Sequence, residues 1–331
     1  MMKLRHLFNN PALAEMLLGN WEYDETSLEL FQYFRISANA IYPFRRDGEI
    51  CFLRCCPSSE KVRENLAAEL DFIGYLRGRH YNALEPVPAK SGDLLVQKQT
   101  PWGEYYASVF KRVKGKQISE ASFEDEIMFA YGAALGQLHQ LSSEYTNPIR
   151  KRWTHVEVFG WIEETLRELT GETLALAEAR LLREYFSTLP VHQRNYGLIH
   201  YDFELDNVFY DASTKSCSVI DFDDAMYHWY ILDIVQALES MRSEISEKEY
   251  PHKEAVFLQG YQSHFDLDND LWAAAPVFGR FANLYSYTRV TRSIQERWEN
   301  EPEWLVTLRS KLARSLASEA ETFGSPIDGI S

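Results

Sequence analysis

At 331 residues, 45% hydrophobic and 25% charged, the chain has the balance of a globular protein with room for two packed lobes. Its four cysteines lack CxxC or zinc spacing, and a net charge of −15 argues against nucleic acid as the main partner. No apolar run is long enough to span a bilayer, and the start runs quickly into polar Asn9-Asn10; a soluble, cytoplasmic protein with no signal peptide and no membrane partner is expected.

In chain order, residues 1–30 read as a helical or irregular lead-in. Strands are predicted over 31–36, 40–44 and 49–54, the last two joined through Asp47-Gly48, where glycine takes the positive φ of a hairpin turn. Pro57-Ser58-Ser59 then opens a helix with Val62, Leu66, Leu70 and Ile73 on one face. Two further strands, over 93–98 and 104–113, precede Lys114-Gly115-Lys116. From there the pattern turns helical, starting with a capping box at Ser122-x-x-Asp125. Strand-like pieces return at 197–200, 208–210 and 218–222, and helical stripes fill 231–242, 254–264, 272–298 and 302–322. The fold class is α+β: a β-rich lobe with one inserted helix (1–114) and a helical lobe built around a hairpin (115–331). Charge follows the same division, with +1 over residues 1–120 and −16 over the remainder.

The chemistry concentrates between residues 200 and 233, where eight acidic residues stand against one base, Lys215. Apolar strands carry these acids to their ends: His200-Tyr201-Asp202…Asn207-Val208, then Val219-Ile220-Asp221-Phe222. Asn207 and Asp221 offer hard oxygens suited to Mg²⁺, which also takes phosphate oxygens. Asp202 is then free to orient a hydroxyl and accept its proton. That division of labour, H-x-D-x₄-N followed by D-F-x, is the one used in phosphoryl transfer by kinases. Asp266-Leu267-Asp268-Asn269-Asp270 imitates a calcium loop but lacks its glycine and its bidentate glutamate, so it reads as a surface loop.

These motifs resemble the aminoglycoside phosphotransferase/choline kinase superfamily, whose loop usually reads H-G-D-x-x-x-x-N-[VI] before I-D-[FW]. The resemblance extends over most of the chain. Asn39-Ala40-Ile41-Tyr42 is similar to the phosphate-loop strand, and Leu53-Arg54 to the strand bearing a phosphate-binding Lys or Arg. Glu69 fits the helix glutamate that pairs with it, with Glu64 as a competitor. Leu135-Gly136-x-Leu138-His139 is similar to the helix before the catalytic loop, and Asp233 matches the aspartate that braces that loop. The chain departs from the pattern at Tyr201, where glycine is usual, at Glu204-Leu205-Asp206, and in a phosphate loop without glycine. The resemblance implies a protein-kinase-like fold with ATP between the lobes and adenine against the connector after Ser108-Val109-Phe110. Arg54, Glu69, Asn39 and Phe110 become the nucleotide contacts. The implied activity is ATP- and Mg²⁺-dependent phosphorylation of a small-molecule hydroxyl, with a nucleotide-binding regulatory pseudokinase as the alternative. Glu204, Asp206, Asp223 and Asp224 exceed what Mg²⁺ needs, and this surplus predicts a cationic acceptor. The aromatic stripe Trp272, Phe278, Phe281, Tyr285 and Tyr287 reads as core.

Overall fold

A computed structural model describes residues 1–146 and 151–327. The chain begins with α1 (Pro11–Leu18), where the Asn10 side chain accepts from the Leu13 amide and Pro11 occupies the first turn. Residues 25–33 wind into 3₁₀ turns, so the strand expected over 31–36 is reduced to β1 (Arg35–Ile36). The turns set Phe31 into the core against Tyr42, ring centroids 5.1 Å apart, and this burial outweighs its strand propensity. β2 (Ala40–Arg46) and β3 (Glu49–Pro57) form the expected hairpin, with Asp47 and Gly48 at φ 52° and 79°. The Asp24 carboxylate accepts from both turn amides. α2 (Arg63–Gly78) buries Leu66, Leu70 and Ile73. β4 (Pro86–Val87), β5 (Val96–Thr100) and β6 (Gly103–Lys111) complete a six-stranded antiparallel sheet, with β6 between β3 and the β4 and β5 edge.

Beyond the connector, β7 (Lys116–Gln117) pairs with a strand of the helical part. α3 (Asp125–Glu144) lacks the expected capping box, because Ser122 Oγ donates to the Glu124 carboxylate and leaves the helix amides alone. A capping box forms instead at Thr154 and Glu157, opening α4 (His155–Glu168). α5 (Thr173–Thr188) follows, then β8 (Tyr196–Ile199), and then a hairpin of β9 (Val208–Asp211, the partner of β7) with β10 (Ser216–Val219). β11 (Met226–Trp229), which the sequence pattern did not reveal, pairs antiparallel with β8. The chain ends in α6 (Ile231–Glu244), α7 (Tyr250–Gln262), α8 (Asn269–Trp272), α9 (Ala275–Ile294) and α10 (Glu303–Glu319). Asp268, in the calcium-like run, caps α8 through its side chain.

Two features of this lobe position the site. α3 and α7 touch backbone to backbone: a Cβ at Gly132 would strike the Phe257 carbonyl, and one at Gly260 that of Phe129. Held so close, α3 carries Tyr131 beneath the 200–207 loop, where its hydroxyl donates to the Phe203 carbonyl at 2.6 Å. The strand ends also bring two loops together, since Ile220 N donates to the Asn207 carbonyl at 3.0 Å and His200 Nε2 meets the Ile220 carbonyl at 2.9 Å. Among the described residues no helix is long and apolar enough to cross a membrane.

Candidate active site

The 200–207 loop hangs on one buried carboxylate. Asp233, fully buried at the start of α6, accepts from His200 N at 2.8 Å and Tyr201 N at 2.7 Å, and meets His139 Nε2 at 3.1 Å. His200 Nδ1 accepts from Asp202 N at 3.2 Å while its Nε2 faces Ile220. With both ring nitrogens on backbone, and burial holding its pKa down, His200 braces the loop as a neutral imidazole. Asn207 Nδ2 donates to Asp202 twice, to its carbonyl and to Oδ2, each at 2.9 Å. That commitment of the amide nitrogen leaves Asn207 Oδ1, which has no hydrogen bond among the described residues, as a hard-oxygen donor. Burial first, then the nearby charges of Asp224, Glu204 and Asp221, push the Asp202 carboxyl well above the usual carboxylate range.

Asp221 stands at φ 63°, ψ 59°, a left-handed conformation that costs a non-glycine residue energy and marks a site under constraint. Its carboxyl too is pushed up, by burial and by Asp223. Crowded, desolvated carboxylates beside an open amide oxygen fit a hard divalent cation, which Asp221 and Asn207 would hold. Among the described residues no group of three or more His, Cys, Asp or Glu is set to bind a metal, so the remaining ligands would be phosphate oxygens and water.

On the β-rich side, Arg54 and Glu69 form two parallel hydrogen bonds of 2.7 Å, with side chains 7% and 0% exposed. Glu64 is exposed, which leaves Glu69 as the partner. The Arg54 guanidinium lies over the Phe110 ring, 4.8 Å from its centroid, so Phe110 is buried beneath Arg54. Asn39 does not stand free for a phosphate, because its Nδ2 donates to Asp223 Oδ2 at 3.0 Å.

The same geometry corrects the count of surplus acids. Asp223 is ion-paired with Lys61, and Asp224 with Arg289 at 2.7 Å. Although burial works the other way, Lys61 and Arg54 hold the Asp223 carboxyl below the usual range. Asp206 also meets Arg35, at 3.9 Å on the surface, so three of the four acids counted as surplus have a cation beside them, each far away in sequence. A cavity of about 260 Å³ lies between the lobes, with Glu60, Lys61, Asp223, Asp224, Arg289 and Arg292 on its polar side. Trp153, Trp161 and Tyr285 add aromatic walls. Tyr285 reads as core from sequence, but its ring stands edge-on to Tyr201, centroids 5.1 Å apart, and so joins the cavity to the residue before Asp202. A larger hollow of about 730 Å³ lies behind the connector, lined by Arg77, Glu85, Lys111 and Arg112 among others.

A model of the phosphotransferase enzyme family matches residues 41–267. The chain belongs to that family. It is 23% identical over 279 residues to the amicoumacin kinase of Bacillus subtilis (strain 168), covering 79% of this chain and 80% of the relative. An uncharacterised protein of Synechocystis is 22% identical over 76% of this chain and 71% of its own length. Among solved structures, an amicoumacin kinase in complex with AMP-PNP and Ca²⁺ superposes with TM-score 0.75 at 21% identity, over 97% of this chain and 96% of that one. A microcompartment-associated aminopropanol kinase gives 0.69 at 21% identity, over 95% and 97%. The two-lobed, protein-kinase-like fold is thus that of known small-molecule kinases.

Within the phosphotransferase family pattern, Tyr201 occupies the place of a glycine, and its backbone shows why glycine is usual: φ is 69°. A left-handed tyrosine costs about 1–2 kcal/mol. Its ring is 5% exposed and packs on Tyr285, and truncating a buried aromatic costs about 3–5 kcal/mol. Burial outweighs strain, so Tyr201→Gly is expected to lower thermal stability by a net ~2 kcal/mol despite restoring the family residue. A melting temperature at or above wild type would show that the ring contributes less than the strain it imposes.

Proposed function

We propose that the protein transfers the γ-phosphoryl group of ATP, with Mg²⁺, to a hydroxyl of an amine-bearing small molecule. The observation that carries this reading is the pairing of a half-buried Asp202 with Asn207, on the loop joined through Ile220 to Asp221, two residues before the Asp223 that lines the interlobe cavity. Bound ATP supplies the phosphoryl group, and Mg²⁺ the charge that offsets its oxygens. Asn207 fixes the Asp202 carboxylate through one oxygen, leaving the other to take the acceptor's hydroxyl proton. A carboxyl raised above its ordinary range is the stronger base for that proton. Arg54, oriented by Glu69, faces the transferring phosphates, and Asn207 and Asp221 hold the metal. Asn39 joins them once Asp223 releases its amide, and adenine lies along the connector after Phe110. The catalytic and acceptor-binding residues belong to the 115–331 lobe, and the nucleotide contacts to the 1–114 lobe. The amine in the acceptor is supported by the names of the relatives, an aminopropanol kinase among them.

An ATP-depletion assay over a panel of hydroxyl compounds tests the reaction. Mg²⁺-dependent nucleotide binding without turnover of any acceptor would favour the regulatory alternative. Asp221→Ala is expected to weaken Mg²⁺-dependent binding of a non-hydrolysable ATP analogue by about tenfold or more, ~1.4 kcal/mol, because the metal's only carboxylate is lost. Calorimetry with and without Mg²⁺ measures it, and an unchanged metal-dependent affinity would place the metal elsewhere.

A further inference from the structure

One titratable side chain of the helical lobe has no part in the site and no partner of its own. His228, on β11, is 0% exposed, and both of its ring nitrogens are buried without a hydrogen bond among the described residues. It stands in a cage of rings from three helices packed against the strand. His155 of α4 lies 5.7 Å away, Phe186 of α5 5.4 Å, and Phe278 and Phe281 of α9 5.8 and 4.6 Å, centroid to centroid. Its backbone partner on β8 is Gly197, which has no side chain to offer. Of the ionisable groups around it, among the described residues, His155 alone acts on His228. That ring is neutral as well, held down to about 4 by burial and by Arg183. The Tyr196 hydroxyl donates to the Tyr227 carbonyl at 2.9 Å, so His155 Nδ1 must donate to that hydroxyl, at 2.7 Å. Arg183 is paired with Glu163 at 2.8 Å, and Arg280 of α9 with Glu178 at 2.6 Å. A charged imidazole at 228 would therefore be an unpaired ion among apolar rings, and burial holds its pKa well below the ordinary histidine range.

We propose that His228 is an acid-sensitive latch: while neutral it lets α5 and α9 close on β11, and on gaining a proton it releases them, together with the cavity wall that α9 carries. The route to the site is a row of rings. Phe281 touches His228 and stacks on Tyr285, 6.2 Å and 17° apart, and Tyr285 meets Tyr201 beside Asp202. The following turns of α9 carry Arg289 and Arg292, which pair with Asp224 and Glu60. Opening of this layer is linked to pH with a fixed sign. Above the ordinary histidine value of about 6.5 neither the closed nor the opened state is charged, and the latch holds. Below it the opened state takes up a proton that the closed state refuses, so the opening constant rises by up to about tenfold per pH unit. His139 and His200 are buried too, but each has hydrogen-bond partners and packs on other elements.

Amide hydrogen exchange of the intact protein between about pH 7.5 and about pH 5, converted to protection factors, reads the latch. Protection along α9 is expected to fall by up to about tenfold per pH unit below about 6.5, ahead of α3 and α6. His228→Phe keeps an aromatic ring in the cage and cannot be charged. Most of the fall should vanish in that variant, leaving the share due to His155. A change in packing shifts protection equally at every pH, so the slope alone reports the proton. Imidazole NMR of the wild-type protein gives a reading that needs no folded variant: the His228 Cε1–H resonance should keep its neutral position down to about pH 5. Titration of that resonance near 6.5 within the folded protein, the charge being accepted by the faces of the surrounding rings, overturns the latch. So do equal slopes in wild type and His228→Phe, and so does a fall spread evenly over all the helices, which would be ordinary acid unfolding.

Discussion

Asp202→Asn is expected to lower turnover by about a thousandfold while leaving Mg²⁺-dependent nucleotide affinity near wild type, since a positioned base contributes roughly 10²–10⁴ in rate. The substitution keeps the shape of the side chain, and an amide oxygen can still accept from Asn207 Nδ2. What it removes is the lone pair proposed to take the acceptor proton. The same change is expected to raise the heat stability of the nucleotide-free protein. Asp202 is a half-buried acid among like charges, with a pKa above its unfolded value. An acid that is harder to ionise in the fold weakens the fold once it must ionise. The penalty is complete above the raised folded pKa and absent below the ordinary carboxylate value of about 4. The melting-temperature gain of Asp202→Asn should therefore be present at high pH and fade as the pH falls toward that value. Retention of a tenth or more of wild-type turnover, about 1.4 kcal/mol of barrier, would take Asp202 out of the base role.

The parts of this protein that were legible in sequence are those whose logic is local. Asp202, Asn207 and Asp221 lie within twenty residues on two strand ends, and period-two apolar runs show where those strands stop. Asp47-Gly48 announces its turn by backbone sterics alone. Arg54 and Glu69 are fifteen residues apart, on one strand and the next helix, and only the rival Glu64 needed three dimensions to set aside. The cations of the cavity were invisible for the opposite reason. Lys61 meets Asp223 across 162 residues and Arg292 meets Glu60 across 232, and no periodicity encodes such pairs. Reading Asp223 and Asp224 as free charge was the consequence. The helix start at Ser122 failed for a local reason, because its hydroxyl meets the Glu124 carboxylate two residues on, whereas Thr154 finds Glu157 three residues on. Tyr285 was hidden within a stripe two of whose other members, Phe278 and Phe281, are fully buried core.

The largest expected loss of stability comes from Glu69→Ala. The Arg54 guanidinium is buried between Glu69 and the Phe110 ring and cannot shed its proton, so removing the carboxylate strands a charge in a low-dielectric site. Breaking a buried pair in this way costs about 3–5 kcal/mol, against a total folding stability of about 5–15 kcal/mol for a typical protein. Glu69→Gln keeps one acceptor oxygen and should fall between the alanine variant and wild type. The double substitution Arg54→Met with Glu69→Leu separates stability from function. Replacing both charges with apolar groups of similar volume removes the desolvation penalty along with the attraction, and is often neutral or stabilising. The double variant is thus expected to recover most of the melting temperature lost by Glu69→Ala, while nucleotide affinity stays low because the cation proposed to face the phosphates is gone. Thermal melts and nucleotide calorimetry on the three variants decide the matter. Wild-type nucleotide affinity in the double variant would make the pair a structural tie between β3 and α2 and nothing more. A wild-type melting temperature for Glu69→Ala would mean that water reaches Arg54 as soon as its partner leaves.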